Sequence, residues 1–238
     1  LRGLPVSPGV GIGRAFRLYD IPVAPLVGHR EEEAALEELA RLEEAIRATA
    51  EELQALHEKV VSQIGPEEAA VFSAHEAILS DPAITDRTRR EVVENQKTAA
   101  AALQAVLHHY EELFSRLPDE YLRERLADLR DVIRRLIRNL SRQDADAVNL
   151  GGPVVLVCHE LLPSDVVALT EYDIVGIVTQ TGGATSHAAL LARGFGIPAV
   201  SGIEQAPEVI ANGDQLIVDG RDGHVFVHPD AETEKSYR

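Results

Sequence analysis

The sequence contains no Met and no Trp, a single Cys, and aromatic residues at only 4% of its 238 positions. The lone thiol, Cys158, excludes an internal disulfide framework and fits a reducing compartment. No apolar run is long enough to span a bilayer, and no basic stretch leads into an apolar one at the start. A transmembrane anchor and a secretory leader are therefore not expected. Positive charge is also scarce: 23 Lys and Arg face 39 Asp and Glu, a formal net charge of −16. Such a chain repels phosphate backbones and anionic lipid, which argues against nucleic acid and membrane partners. A cytoplasmic protein is expected. The opening Leu1-Arg2-Gly3 is not a translation start, so the chain reads as a processed product or a piece of a longer protein.

Glycine is missing where helices would need it to be. Residues 30–142 hold only Gly65 and are rich in Ala, Leu, Glu and Arg. Leu39, Leu42, Ile46, Leu53, Leu56 and Val60 recur at helical intervals and draw one apolar stripe. Gly65-Pro66 ends that helix. A second is expected over Glu67 to about Ser80, stopped by Asp81-Pro82. Others fit about 83–95 and 98–116. Pro118 is expected to open a last helix, on which Leu122, Leu126, Leu129, Val132, Ile133, Leu136, Ile137 and Leu140 keep the same spacing. Short connections between these helices argue for an antiparallel bundle. A coiled coil over 31–64 is the alternative, against which the prompt return of helix breakers counts.

On either side the composition changes. Residues 1–29 carry Pro5, Pro8, Gly9, Gly11 and Gly13 and read as a loop followed by a strand near Arg14–Leu18. After about residue 143, Val154–Val157, Ile174–Val178, Gln215–Val218 and Val225–Val227 read as strands. Short helices are expected from Leu162-Pro163-Ser164 and over Ser186–Arg193, closed by Gly194. Strands alternating with helices indicate an α/β domain. The opening strand has no partner in a bundle, so it is expected to join that domain. The organisation expected is thus an α/β domain from 1–29 plus 143–230, a helical insertion over 30–142, and the start of a linker at 231–238.

The chemistry concentrates after the Ile174–Val178 strand, in Thr179-Gln180-Thr181-Gly182-Gly183-Ala184-Thr185-Ser186-His187. The glycines allow a tight turn, and Thr185 and Ser186 are N-cap candidates. His187 then falls in the first turn of a helix, where backbone N–H groups and the dipole favour an anion. The same dipole disfavours imidazolium and keeps a ring nitrogen nucleophilic. A histidine that accepts and passes on a phosphoryl group needs both properties. The structural alternative is an ordinary strand–turn–helix connection with a capping histidine. No Gly-Lys-Ser/Thr follows the glycines, so a Walker-type loop does not apply. His159, His224 and His228 lack paired-ligand spacing, and no metal site is expected.

Gly182-Gly183-Ala184-Thr185-Ser186-His187-Ala188-Ala189-Leu190-Leu191-Ala192-Arg193, followed by Gly196-Ile197-Pro198-Ala199-Val200, resembles the phosphohistidine signature of phosphoenolpyruvate-utilising enzymes. Gly3-Leu4-Pro5-Val6-Ser7-Pro8-Gly9-Val10 resembles the opening of enzyme I of the sugar phosphotransferase system, while Ala184 and Leu162, which depart from its usual pattern, point to a relative such as the enzyme I-like part of a multiphosphoryl transfer protein. The run from Tyr121 to Asp131 resembles the last bundle helix of enzyme I. The run Glu67-Glu68-Ala69-Ala70-Val71-Phe72-Ser73-Ala74-His75 resembles the helix with which it docks the phosphocarrier HPr. The resemblance implies an α/β phosphohistidine (swivelling) domain with an inserted all-α helical bundle. It implies that His187 is phosphorylated on Nε2, supported by Gly182, Gly183, Thr185 and Ser186. It implies phosphoenolpyruvate as donor and HPr as acceptor. Phosphoenolpyruvate and Mg²⁺ would bind a C-terminal domain outside this chain, with no cofactor in the chain itself. The family usually has Arg where Ala184 stands, and a Thr, which hydrogen-bonds the active histidine, where Leu162 stands.

Residues 31–81 hold 14 acidic and 3 basic side chains. For Glu31-Glu32-Glu33 a solvated helix face is the simpler account. For Glu67, Glu68 and Asp81 an acidic surface that draws in a basic partner is the expectation. Phe72, His75 and Leu79 on the same helix, and Arg125, complete the expected HPr-docking set. Two other functions stay open at this point: a swivelling domain of a phosphoenolpyruvate synthase or pyruvate phosphate dikinase relative, and a non-catalytic acidic helical adaptor.

Overall fold

The structure is a computed structural model that describes residues 1–18, 32–115, 120–141, 152–169 and 173–237. It contains two compact units. One comprises Leu1–Asp20, Gln63–Glu68 and Ala147–Arg238; the other comprises Ile21–Ser62 and Ala69–Asp146. The boundaries expected near residues 29–30 and 142–143, and Pro118, lie outside the described residues. The turn Gln63–Glu68, expected within the helical insertion, groups with the first unit instead.

The first unit is built on a seven-stranded mixed sheet. Its strands are β1 (Leu4–Ser7), β2 (Val10–Arg17), β3 (Val154–Cys158), β4 (Ile174–Thr179), β5 (Ala199–Ser201), β6 (Gln215–Asp219) and β7 (His224–Val227), in the order β1-β5-β4-β3-β2-β6-β7. The run β5-β4-β3-β2 is parallel, and β1, β6 and β7 pair antiparallel at its two sides. The opening segment thus joins the α/β sheet, with β2 between β3 and β6. Gly3–Ser7, read from sequence as loop, in fact contains β1, paired with β5. Gly11 is required where β2 passes the start of β4, because a Cβ there would sit 1.7 Å from the Val175 carbonyl oxygen.

The parallel strands are apolar on both faces, as two-sided burial demands. Val155, Val157, Val178, Val200, Leu216 and Val218 form one core layer with Ala206 of the short helix α8 (Ala206–Val209). Crossovers between the parallel strands carry α6 (Pro163–Leu169) and α7 (His187–Gly194). Each fully buried Val or Leu contributes about 2 kcal/mol of transfer free energy. The segment after Asp230 forms a helix, α9 (Ala231–Tyr237), and the Tyr237 ring lies 5.3 Å from Phe226 of β7.

Among the described residues, five helices precede the second half of the sheet: α1 (Glu32–Gln63), α2 (Pro66–Leu79), α3 (Pro82–Val93), α4 (Ala99–Ser115) and α5 (Glu120–Ser141). Leu129, Val132, Ile133, Leu136, Ile137 and Leu140 of α5 are buried, as their spacing predicts. On α1 the stripe is rotated. Leu42, Leu53 and Val60 are buried, but Glu38, Ala45 and Thr49 join them, while Leu39, Ile46 and Leu56 are half-buried. The polar members have partners. Glu38 Oε2 accepts the Ala99 N–H at 2.8 Å and caps α4, and Thr49 Oγ1 accepts from Asn139 at 3.0 Å. No helix among the described residues is long and apolar enough to cross a membrane.

Candidate functional site

The parallel register aligns the carboxyl ends of three strands. Cys158 of β3 pairs with Thr179 of β4, and Val178 pairs with Val200, one residue before Ser201 ends β5. Loops leaving this edge form the crevice where open α/β sheets place their ligands. The loop 180–186 is anchored at its start: Gln180 N–H donates to the Cys158 carbonyl at 3.1 Å and Thr181 N–H to the His159 carbonyl at 2.8 Å. Gly182 follows with φ of +127°, which only glycine adopts without strain. The turn closes with Ser186 N–H on the Gly183 carbonyl at 3.2 Å.

Ser186 is the N-cap of α7. Its φ and ψ of −61° and 154° are extended, and its hydroxyl accepts the Ala189 N–H at 3.3 Å. His187 is therefore the first helical residue and is half-buried. This is the position at which the dipole and first-turn amides favour a bound anion. Of the two N-cap candidates the structure selects Ser186, while Thr185 is exposed. Arg193, at the other end of α7, reaches back: Nε donates to the Val6 carbonyl at 2.7 Å, and the guanidinium donates to the Ala184 carbonyl. A small cleft of about 20 Å³ opens here, with Gly182, Gly183, Ser186, Thr179 and Ser201 among its lining. Leu162 is buried and offers no hydroxyl; its N–H donates to Asp165 Oδ2 at 3.2 Å, and its carbonyl accepts the Asp165 and Val166 N–H groups at 3.0 and 3.3 Å.

Sequence reasoning passed over Thr179 and Ser201. Thr179 Oγ1 donates to Ser201 Oγ at 2.9 Å, and Ser201 Oγ donates to the Gly182 carbonyl at 2.8 Å. The available signal was weak: two hydroxyl residues at the ends of apolar strands. Among the described residues no group of three His, Cys, Asp or Glu is placed to hold a metal ion.

The expected docking set divides. Glu67 is exposed and Glu68 half-buried in the first turn of α2, where acidic side chains also suit the dipole. Asp81 is exposed but caps α3, accepting the Ala83 N–H at 2.8 Å. Arg125 is exposed beside Asp128, at 3.7 Å. Phe72, His75 and Leu79 require correction: they are buried, at 0%, 0% and 4% exposure, and offer no surface to a partner. They lie on the inward stripe of α2, and α5 places the buried carboxylates of Asp128 and Asp131 at 3.3 and 4.0 Å from the two ring nitrogens of His75.

Known proteins resemble this arrangement over its whole length. Residues 2–125 match the family model for the N-terminal part of PEP-utilising enzymes, and residues 150–223 match that for their mobile domain. The phosphoenolpyruvate-protein phosphotransferase of Priestia megaterium is 35% identical over 244 residues, covering 100% of this chain and 41% of that protein. That of Bacillus subtilis (strain 168) is 34% identical over 238 residues with the same coverage. The chain thus spans about two fifths of these relatives. A solution NMR structure of an Enzyme I protein is 36% identical, with a TM-score of 0.73, covering 100% of this chain and 96% of that one. An N-terminal domain of a nitrogen-type Enzyme 1 is 30% identical, with a TM-score of 0.66, covering 99% of this chain and 97% of that one.

Proposed function

We propose, for a chain that belongs to the family of PEP-utilising enzymes and matches an Enzyme I N-terminal domain over its full length, that it carries a phosphoryl group on His187 and passes it to a histidine of HPr. One observation carries the reading: His187 is the first residue of α7, behind a Ser186 cap and a glycine turn, at the carboxyl edge of the parallel strands. In the loading step the Nε2 lone pair forms a bond to phosphorus and the phosphorus–oxygen bond to the enol of phosphoenolpyruvate breaks. In the unloading step a ring nitrogen of the HPr histidine forms the new bond and the His187 P–N bond breaks. Both ask for in-line placement and charge stabilisation rather than further covalent chemistry.

The chain's own residues divide these tasks. Ser186 and the glycine turn set the start of α7, and the acidic side chains Glu67, Glu68 and Asp81, with Arg125, are the residues proposed to meet HPr, whose docking face would be basic. Phosphoenolpyruvate and Mg²⁺ belong in this reading to the further part that the longer relatives possess. The setting proposed is the cytoplasm. Incubation with phospho-HPr should place acid-labile phosphate on His187, and His187→Ala should take up none. Uptake by the variant, or none by the wild-type chain, refutes the proposal.

A further inference from the structure

We infer that Ser201, braced by Thr179, is a positioning residue for the phosphoryl-accepting loop: it fixes the Gly182–Gly183 peptide so that the Gly183 N–H is presented to an anion. The inference rests on the reading of His187 as phosphoryl acceptor. Peptide units are planar and trans, with C=O and N–H directed oppositely. Ser201 Oγ holds the Gly182 carbonyl at 2.8 Å, so the Gly183 N–H of the same peptide is turned away from Ser201. That N–H makes no hydrogen bond among the described residues, and Gly183 is exposed.

A peptide between two glycines has no Cβ on either side to resist rotation, so its orientation needs an outside anchor. Ser201 supplies it. Ser201 and Thr179 are 3% and 5% exposed, which keeps water from replacing the contact. The Thr179 hydroxyl occupies one acceptor site of Ser201 Oγ at 2.9 Å, leaving the Ser201 proton to the Gly182 carbonyl.

The neighbouring carbonyls are restrained as well. The Gly183 carbonyl takes the Ser186 N–H, and the Ala184 carbonyl takes the Arg193 guanidinium. Three consecutive carbonyl dipoles that would repel phosphate are therefore engaged by donors from the protein. Turning carbonyls inward and amides outward is what makes a loop a concave anion site. The hydroxyls that orient the loop come from the carboxyl ends of β4 and β5.

The test compares the wild-type chain with Ser201→Ala, Ser201→Thr and Thr179→Val. It measures phosphoryl uptake from phospho-HPr, the Gly183 amide signal by ¹H–¹⁵N NMR, and thermal melting. In the wild type and Ser201→Thr, phosphorylation should displace the Gly183 amide signal. In Ser201→Ala that displacement should vanish and uptake should fall about tenfold, the scale of one oriented hydrogen bond lost to a charged group. Thr179→Val, nearly isosteric, should move both readouts in the same direction and carries the test if Ser201→Ala does not fold. Uptake at the wild-type rate with an unchanged Gly183 response in the folded variants overturns the inference alone. A wild-type chain that takes no phosphate overturns the His187 reading and this inference with it.

Discussion

The Nε2 atom of His75 lies 3.3 Å from Oδ1 of Asp128, with both side chains out of solvent. On the other edge of the ring, Nδ1 is 4.0 Å from Oδ2 of Asp131. Phe72 meets the same imidazole edge-on, with ring centres 5.8 Å apart. A histidine on an acidic, surface-like helix is thus a structural joint between α2 and α5, and Arg125 touches the far oxygen of Asp128 from outside.

The first prediction follows from that joint. His75→Ala removes the ring that separates two buried carboxylates and leaves a cavity, so the helical unit should lose about 3 kcal/mol. Urea unfolding followed by circular dichroism measures it. A variant of wild-type stability but weakened HPr binding would instead return His75 to the surface role.

A second joint ties α1 to α5. Glu52 accepts from both Arg135 and Arg138, the latter at 3.0 Å, and Arg135 is only 7% exposed. Glu52→Ala strands the Arg135 guanidinium. Because Glu52 itself is about a third exposed, solvent screening limits the cost to about 1.5 kcal/mol. Glu52→Gln keeps an acceptor and should cost less. Equal stability of the two variants would show that the contact contributes nothing.

These joints also show where sequence reading stops. Helix positions were legible because apolar spacing and the breakers Gly65-Pro66 and Asp81-Pro82 are local signals. Glu38, Thr49 and His75 were not legible as interior residues, because their partners Ala99, Asn139 and Asp128 lie 61, 90 and 53 residues away. The site divides in the same way. His187, Ser186 and the glycine turn are adjacent in the chain and announce themselves. The Thr179–Ser201 contact exists only once β4 and β5 pair in parallel, and a three-residue strand such as β5 carries almost no periodic signal.

Gly11 provides a test of the sheet. A methyl group there would lie 1.7 Å from the Val175 carbonyl oxygen, a backbone atom that cannot swing aside as a side chain would. Gly11→Ala should destabilise the sheet unit by more than about 4 kcal/mol, the range reserved for severe packing faults. Loss of dispersed sheet-residue signals in ¹H–¹⁵N spectra is the readout. A native spectrum for the variant would mean that β2 does not cross β4 this closely.

Arg193 should matter to phosphoryl transfer more than to folding. Its guanidinium bridges the Val6 and Ala184 carbonyls, which a single Lys ammonium has no planar fork to do. Arg193→Lys should cost about 1 kcal/mol of stability or less, since the side chain is exposed. Phosphoryl uptake from phospho-HPr should fall severalfold, through a loosened loop. An uptake rate equal to the wild type would show that the loop keeps its shape without the bridge.

At the opposite edge of the sheet, Asp219 gives a pH dependence whose sign is set. Burial pushes its carboxyl pKa up, but the Arg221 guanidinium at 3.1 Å and the backbone N–H groups of Arg221 and Asp222 outweigh burial and hold it below the usual value. A lowered carboxylate pKa means stability that is present above the unfolded value, about 3.9, and lost as pH falls through the folded one. Melting temperature should therefore drop through that acid window, and Asp219→Asn should flatten the drop. Arg221→Ala removes the cation and leaves the burial, so the Asp219 pKa should swing upward and the loss begin at higher pH. Tyr237 reports independently: burial and the Asp219 charge raise its phenol, and Asp219→Asn should bring it back toward the ordinary range. An unmoved Tyr237 titration in that variant would show that the carboxylate and the phenol do not meet in solution.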